Sequence, residues 1–221
     1  MELHVLEFKM EGINIKSSDI PKLRGYIANK FPEYLELHNH IDKSKYNYGY
    51  PLIQYKSINK IPYIIAISNA ALIIYEIMPE IQSIKIKDKI LKIYEKGVKV
   101  DRKLFGHSNN MIEYEFKNPW LPLNQKNYIE YKEYCDKDRT ELLRNIMIGN
   151  ILSMSKSFNY WFDKKLEIKL NIKPIRVNFK NNEMTAFKGN FIVNFNIPDY
   201  FGIGKSVSRG FGTIKKKSEW D

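Results

Sequence analysis

In the first hundred residues the hydrophobic period switches between two and 3.6 in a set order, and that order limits the possible folds more than any other feature. Leu3, Val5, Leu6 and Phe8 read as a strand. Asp19 followed by Pro21 marks a helix N-terminus, and Ile20, Leu23, Ile27 and Phe31 then recur at helical spacing until Pro32 stops them. Residues 33–49 are polar and aromatic, with Asn39, Asn47 and Gly49 as loop formers. Pro51 to Tyr55 and Ile61 to Ile67 read as strands joined by an Asn59-Lys60 turn. A helix over 69–78, capped by Ser68 or Asn69, ends at Pro79. Ile84, Ile86, Ile90 and Ile93 supply further strand material. The order is β-α-β-β-α-β.

That order is the split βαβ arrangement of ferredoxin-like domains. Gly97, Gly106, Asn109 and Asn110 make 97–110 a plausible boundary, so the first domain is expected over 1–96 and a second over 111–221. The second opens with Ile112, Tyr114 and Phe116 alternating against Glu113, Glu115 and Lys117. Helices are expected near 125–135 and 138–158, the latter with Leu143, Met147, Ile151 and Met154 on one face. Two alternating runs follow, through Ile168–Ile172 and Phe191–Phe195, and a last short strand is expected over Phe211 to Ile214. The fold class is α+β: two tandem ferredoxin-like (RRM-like) domains, each an antiparallel sheet with helices on one face.

Charge narrows the partner. The formal charge of +11 is diluted by a Lys-, Ile- and Asn-rich composition, in which only six of the 36 cations are Arg. Its distribution says more. From Lys164 to Lys217 there are ten Lys and two Arg against Glu167, Glu183 and Asp199, so +9 of the +11 lies in 54 residues. Clustering of this kind is the electrostatic footprint of a nucleic-acid partner. An anionic membrane would favour a basic amphipathic helix, whereas this segment alternates like strands. The apolar stretch 61–78 is interrupted by Pro62, Ser68-Asn69 and Glu76, so it is not a membrane span. The first residues lack a basic n-region and an apolar h-region, and a cytoplasmic location is expected. Cys135 is the only cysteine, which excludes an internal disulfide and Cys-based zinc sites.

The most distinctive segment is Gly202-Ile203-Gly204-Lys205-Ser206-Val207-Ser208-Arg209-Gly210-Phe211-Gly212. Glycines let backbone N–H groups approach an anion, Lys205 and Arg209 add charge, and Ser206 and Ser208 can donate to phosphate oxygens. The spacing fits neither a P-loop nor a dinucleotide fingerprint. A flexible glycine hairpin is the purely structural reading.

Gly-x-Gly, five residues rich in Lys, Ser and Arg, then Gly-aromatic-Gly near the C-terminal end of a basic chain resembles the RAMP proteins of CRISPR systems. Leu37-His38-Asn39-His40, Tyr50-Pro51-Leu52-Ile53-Gln54-Tyr55-Lys56 and Ile148-Gly149-Asn150-Ile151-Leu152 narrow the resemblance to the endoribonuclease that processes precursor CRISPR RNA. The resemblance implies two ferredoxin-like domains and metal-free, cofactor-free cleavage within CRISPR repeats, often with the product kept bound. Its implied partners are the repeat RNA and other CRISPR effector subunits, with the chain a monomer or weak homodimer and no membrane involved.

Metal-free RNA cleavage needs a base to take the 2′-OH proton, an acid for the departing 5′-oxygen, and a cation for the phosphorane charge. The products are a 2′,3′-cyclic phosphate and a 5′-OH. Histidine suits both proton roles near neutral pH. The resembled family places its catalytic His after the first helix, which points to His40 first and His38 second. A plain polar loop is the alternative reading of the His-x-His pair. His4 and His107 are expected to be structural, and no third ligand supports a His-x-His metal site. Lys43, Lys45 and Lys56 are candidate cations, Lys45 the preferred one. Tyr26 is a candidate hydroxyl partner, with packing as the competing reading. RNA contacts are expected from Gly202, Gly204, Lys205, Ser206, Ser208, Arg209, Gly210, Gly212 and Lys215. Two other functions remain: a non-cleaving RAMP subunit that only holds guide RNA, which has no need of the histidine loop, and an enzyme for a phosphorylated small molecule, which leaves the basic cluster unexplained.

Overall fold

The computed structural model describes residues 1–38, 49–179 and 182–217, His38 by its backbone alone. It divides into two compact units: Met1–Leu104 with Val207–Gly210, and Phe105–Ser206 with Phe211–Asp221. Among the described residues no helix is long and apolar enough to cross a membrane.

The first unit runs β1 (Glu2–Glu11), α1 (Ile20–Lys30), β2 (Ile53–Ile58), β3 (Ile61–Ile67), α2 (Ala70–Ile77), β4 (Ser83–Ile86), β5 (Lys89–Lys92) and β6 (Glu95–Leu104). Four strands form an antiparallel sheet in the order β2-β3-β1-β6. Leu6, Phe8 and Met10 alternate along β1 into a core shared with Leu23 and Ile27 of α1 and Ile74 and Ile77 of α2. Asn59 and Lys60 take φ of 52° and 68° between the paired residues Ile58 and Ile61. Both central residues at positive φ fit the two-residue hairpin turn whose twist matches its strands. Pro21 opens α1 as expected, although the Asp19 carboxylate accepts from Lys22 Nζ (2.7 Å) instead of capping a backbone N–H.

Two expectations need correction here. Ile84 and Ile90 lie in a separate two-stranded hairpin, β4-β5, and do not complete the main sheet. The closing strand is β6, which occupies much of the stretch expected to be a linker. It pairs with β1 over ten positions, from Glu2↔Leu104 to Glu11↔Glu95. A glycine and alternating charges look like loop locally, but they are tolerable on an edge strand, where Gly97 lies opposite Lys9. The division between units consequently falls between Leu104 and Phe105.

The second unit runs β7 (Gly106–Phe116), α3 (Gln125–Glu133), α4 (Asp136–Ser157), β8 (Ile168–Phe179), β9 (Asn182–Asn196) and β10 (Ile214–Lys216). Its antiparallel sheet has the order β10-β7-β9-β8, the same permutation as the first. Asn124 caps α3 by accepting from the N–H of Asn127 at 2.7 Å. Leu143, Met147, Ile151 and Met154 of α4 are buried, as are Tyr114, Phe187 and Phe191 of the sheet. A loop replaces the second crossover helix. The last strand starts at Ile214, three residues later than expected, because Gly212 adopts φ +63° and donates its N–H to Pro119 O at 2.8 Å, outside a ladder.

Candidate functional site

The glycine loop is built from two sets of contacts. In the second unit, Gly202 pairs with Thr213, Ile203 N–H donates to Gly212 O (2.9 Å), and Lys205 N–H to Leu121 O (3.1 Å). Gly204 and Gly212 are required by the backbone. At Gly212 a Cβ would lie 1.9 Å from Ile203 O, and at Gly204, with φ +89°, it would lie 2.6 Å from the Trp120 indole nitrogen. Trp120 is fully buried and donates to Asn150 Oδ1 of α4 at 3.2 Å. The Asn150 motif therefore holds the indole on which the loop closes. Lys205 Nζ donates to Leu123 O at 3.0 Å, and burial lowers its pKa from the ordinary lysine value.

Val207–Gly210 belongs to the first unit, and Val207–Arg209 form one 3-10 turn carrying half-buried Ser208 and Arg209. The position of Gly210 leaves a Cβ only 3.3 Å from Tyr55 O and 3.4 Å from Ile20. Lys56 of β2 is fully buried, and its Nζ donates to Val207 O at 3.3 Å. Burial lowers the Lys56 pKa from 10.5 to about 7 by desolvating its ammonium. Beside it in sequence, the buried Tyr55 phenol is pushed up by burial despite the nearby Arg24. Gln54 Nε2 donates to Pro51 O at 3.0 Å and closes the turn into β2. The Pro51–Lys56 motif and Val207–Gly210, with Lys56 and Val207 151 residues apart in sequence, thus form one structural assembly within the first unit. Lys56 serves that assembly; its amine faces a backbone carbonyl.

The 3-10 turn Leu35–His38 follows α1, with Leu37 buried in the core, so the backbone of His38 is placed directly after a packed anchor. His40, Lys43 and Lys45 lie outside the described residues, as does the side chain of His38. Tyr26 is half-buried on α1 and packs against the first unit's core. Lys215 lies in β10 opposite Glu115. His4 is exposed on β1, while His107 Nε2 lies 3.3 Å from Asn194 Nδ2 on β7, not in a linker. Among the described residues no cluster of His, Cys, Asp or Glu could hold a metal ion.

Residues 1–103 match the family model of the Cas6b N-terminal domain, and residues 106–217 match that of the Cas6b C-terminal domain. This chain belongs to the Cas6b family. A crystal structure of Cas6b superposes with a TM-score of 0.93 at 39% identity, covering 98% of this chain and 100% of that one. A second Cas6b, described as a CRISPR RNA processing endoribonuclease, superposes at 0.81 with 38% identity and the same coverage. The uncharacterized protein MJ0978 of Methanocaldococcus jannaschii is 43% identical over 145 residues, 65% of this chain and 99% of that protein. A RAMP protein binding different RNA substrates shares the fold at a TM-score of 0.57 and 14% identity. The ferredoxin-like fold of the two units is thus shared with Cas6b structures. Sequence reasoning missed the role of Lys56 as an anchor of that loop. A lone lysine in a strand whose other members are Ile, Gln, Tyr and Ser was the available signal.

Proposed function

We propose that this chain is an endoribonuclease that cuts precursor CRISPR RNA within its repeats, without metal, by attack of the ribose 2′-OH on the adjacent phosphate. His40, or His38 in its place, moves the protons, with Lys45 and Tyr26 supporting the phosphorane charge and the nucleophile. The glycine loop, with Lys205, Ser206, Ser208, Arg209 and Lys215, holds the RNA backbone, and the product stays bound. Membership of both halves in the Cas6b family is the observation that carries this reading. The histidine pair that follows the first helix in sequence supports it.

Labelled repeat RNA incubated in EDTA should be cut to a 2′,3′-cyclic phosphate and a 5′-OH, and a single 2′-deoxy substitution at the cut site should stop the reaction. A requirement for Mg²⁺, or equal cutting of both RNAs, would sink the mechanism. His40→Ala should abolish cutting while leaving binding intact; if it cuts normally, His38→Ala is the decisive variant. Normal cutting by both single variants and by the double variant assigns the histidine loop no proton role.

A further inference from the structure

The end of α4 builds a rigid mount for one exposed indole. Asn159 takes φ +53°, its N–H donates to Lys156 O (3.1 Å), and the N–H of Tyr160 donates to Ser155 O (2.9 Å). This pair of bonds is the Schellman closure of a helix, with Asn in the left-handed position. The residues on either side of this closure are pinned by aromatic contacts. Phe158 lies edge-on to Phe105 with centroids 5.1 Å apart, and Tyr160 packs on Phe105 at 5.9 Å. Phe162 meets Phe195 at 5.3 Å, and the Tyr160 hydroxyl accepts from His107 N–H at 3.1 Å. Trp161 lies between two pinned neighbours and is 73% exposed.

That indole borders a cavity of about 350 Å³, lined also by Leu152, Ser153, Lys156, Tyr160 and Phe162. The volume lies at the lower end of the roughly 300–1,000 Å³ of small-ligand sites, suited to one ring system and not to a helix. Ser153 and Lys156 put a hydroxyl and an ammonium at its rim. From Lys156 to Lys165 the charges are Lys156, Lys164 and Lys165 against Asp163 alone. Lysine is depleted in the cores of protein–protein interfaces. An aromatic face among lysines is how single-stranded nucleic acid is held, with the base stacked and its phosphate on the cation.

We propose that Trp161 and the adjoining cavity form a stacking site for one unpaired base of the bound RNA, with Lys156 taking its phosphate. The site uses residues of neither the glycine loop nor the histidine loop, and it rests on the RNA-processing reading. It sets affinity, not the chemical step.

The test uses the full chain and labelled repeat RNA carrying the 2′-deoxy block, so that binding is read without cleavage. Trp161→Ala should weaken binding about tenfold. Trp161→Phe should keep most of the affinity and remove the part of the indole quenching that RNA addition causes. Lys156→Ala should lower the salt slope by about 0.7, the share of one single-strand phosphate contact. A wild-type chain that binds RNA, beside a Trp161→Ala chain that binds it equally, overturns the stacking site and leaves the ribonuclease reading standing. Unchanged RNA affinity with loss of a protein partner overturns it too. No binding of repeat RNA by the wild type overturns both.

Discussion

Lys56 shows how one buried charge ties a sequence motif to a stability profile. Its ammonium sits in the first unit with a backbone carbonyl as acceptor, and burial lowers its pKa to about 7. The unfolded chain, near 10.5, then holds one more proton than the folded chain between those two values, so the stability contributed at this site rises with pH across that window. Below about pH 7 both states are protonated and the full cost of burying the charge is felt. Lys56→Met removes that cost along with the hydrogen bond to Val207 O. Its melting temperature relative to the wild type should therefore be most favourable at pH 6 and should decline toward pH 9.5. Parallel thermal melts at the two pH values check this. A difference that does not move with pH would show that Lys56 is not buried as an ammonium. None of this was legible from residue type alone. A lysine in a strand reads as solvent-facing, and Val207, the residue that makes it structural, is 151 positions away.

At the level of elements, local hydrophobic period decides the helices, and long-range pairing decides the closing strand. The helices near 125–135 and 138–158 emerge as Gln125–Glu133 and Asp136–Ser157, the second because Leu143, Met147, Ile151 and Met154 recur at the helical period. Most of the closing strand β6 falls in the 97–110 stretch expected as linker, since nothing in Gly97-Val98-Lys99 announces the ten-position partnership with β1. The glycine loop was recognised by its letters, yet its glycines proved to serve close backbone approach, a reason that only the three-dimensional contacts supply. The two kinds of glycine make opposite predictions. Gly212→Ala places a Cβ 1.9 Å from Ile203 O at φ +63° and should destabilise the fold by on the order of 3 kcal/mol. Gly149 is exposed within α4, and a Cβ there meets nothing within 4 Å. Gly149→Ala should stabilise by about 0.5–1 kcal/mol through helix propensity. Urea denaturation of the two variants measures both. Equal effects would mean that the loop glycine is not held by packing.

For the whole molecule, the question is where the charge excess acts. The histidine pair that carries the proposed chemistry was legible only as a residue type at a position after α1; His40 and the His38 side chain lie outside the described residues. The basic C-terminal third can be located in more detail. In the β8–β9 hairpin Lys173 lies directly opposite Lys188, and Lys169 lies two places along the same face of β8. Like charges directly opposite in an antiparallel pair are destabilising on their own, and a bound polyanion reverses the sign of that effect. If this face takes up RNA, replacing Lys169, Lys173 and Lys188 together by Gln should flatten the dependence of log K on log salt by about 0.7 per lysine, hence by about 2 for the three. The same replacement at Lys85, Lys87 and Lys89, in and around the β4–β5 hairpin of the first unit, changes the net charge equally. It should leave the slope near the wild-type value. Filter binding of repeat RNA between 50 and 400 mM salt, on the order of the range over which such slopes are read, separates the two triple variants. Equal flattening in both would show that RNA responds to the total charge of +11 and not to the lysine face of the C-terminal sheet.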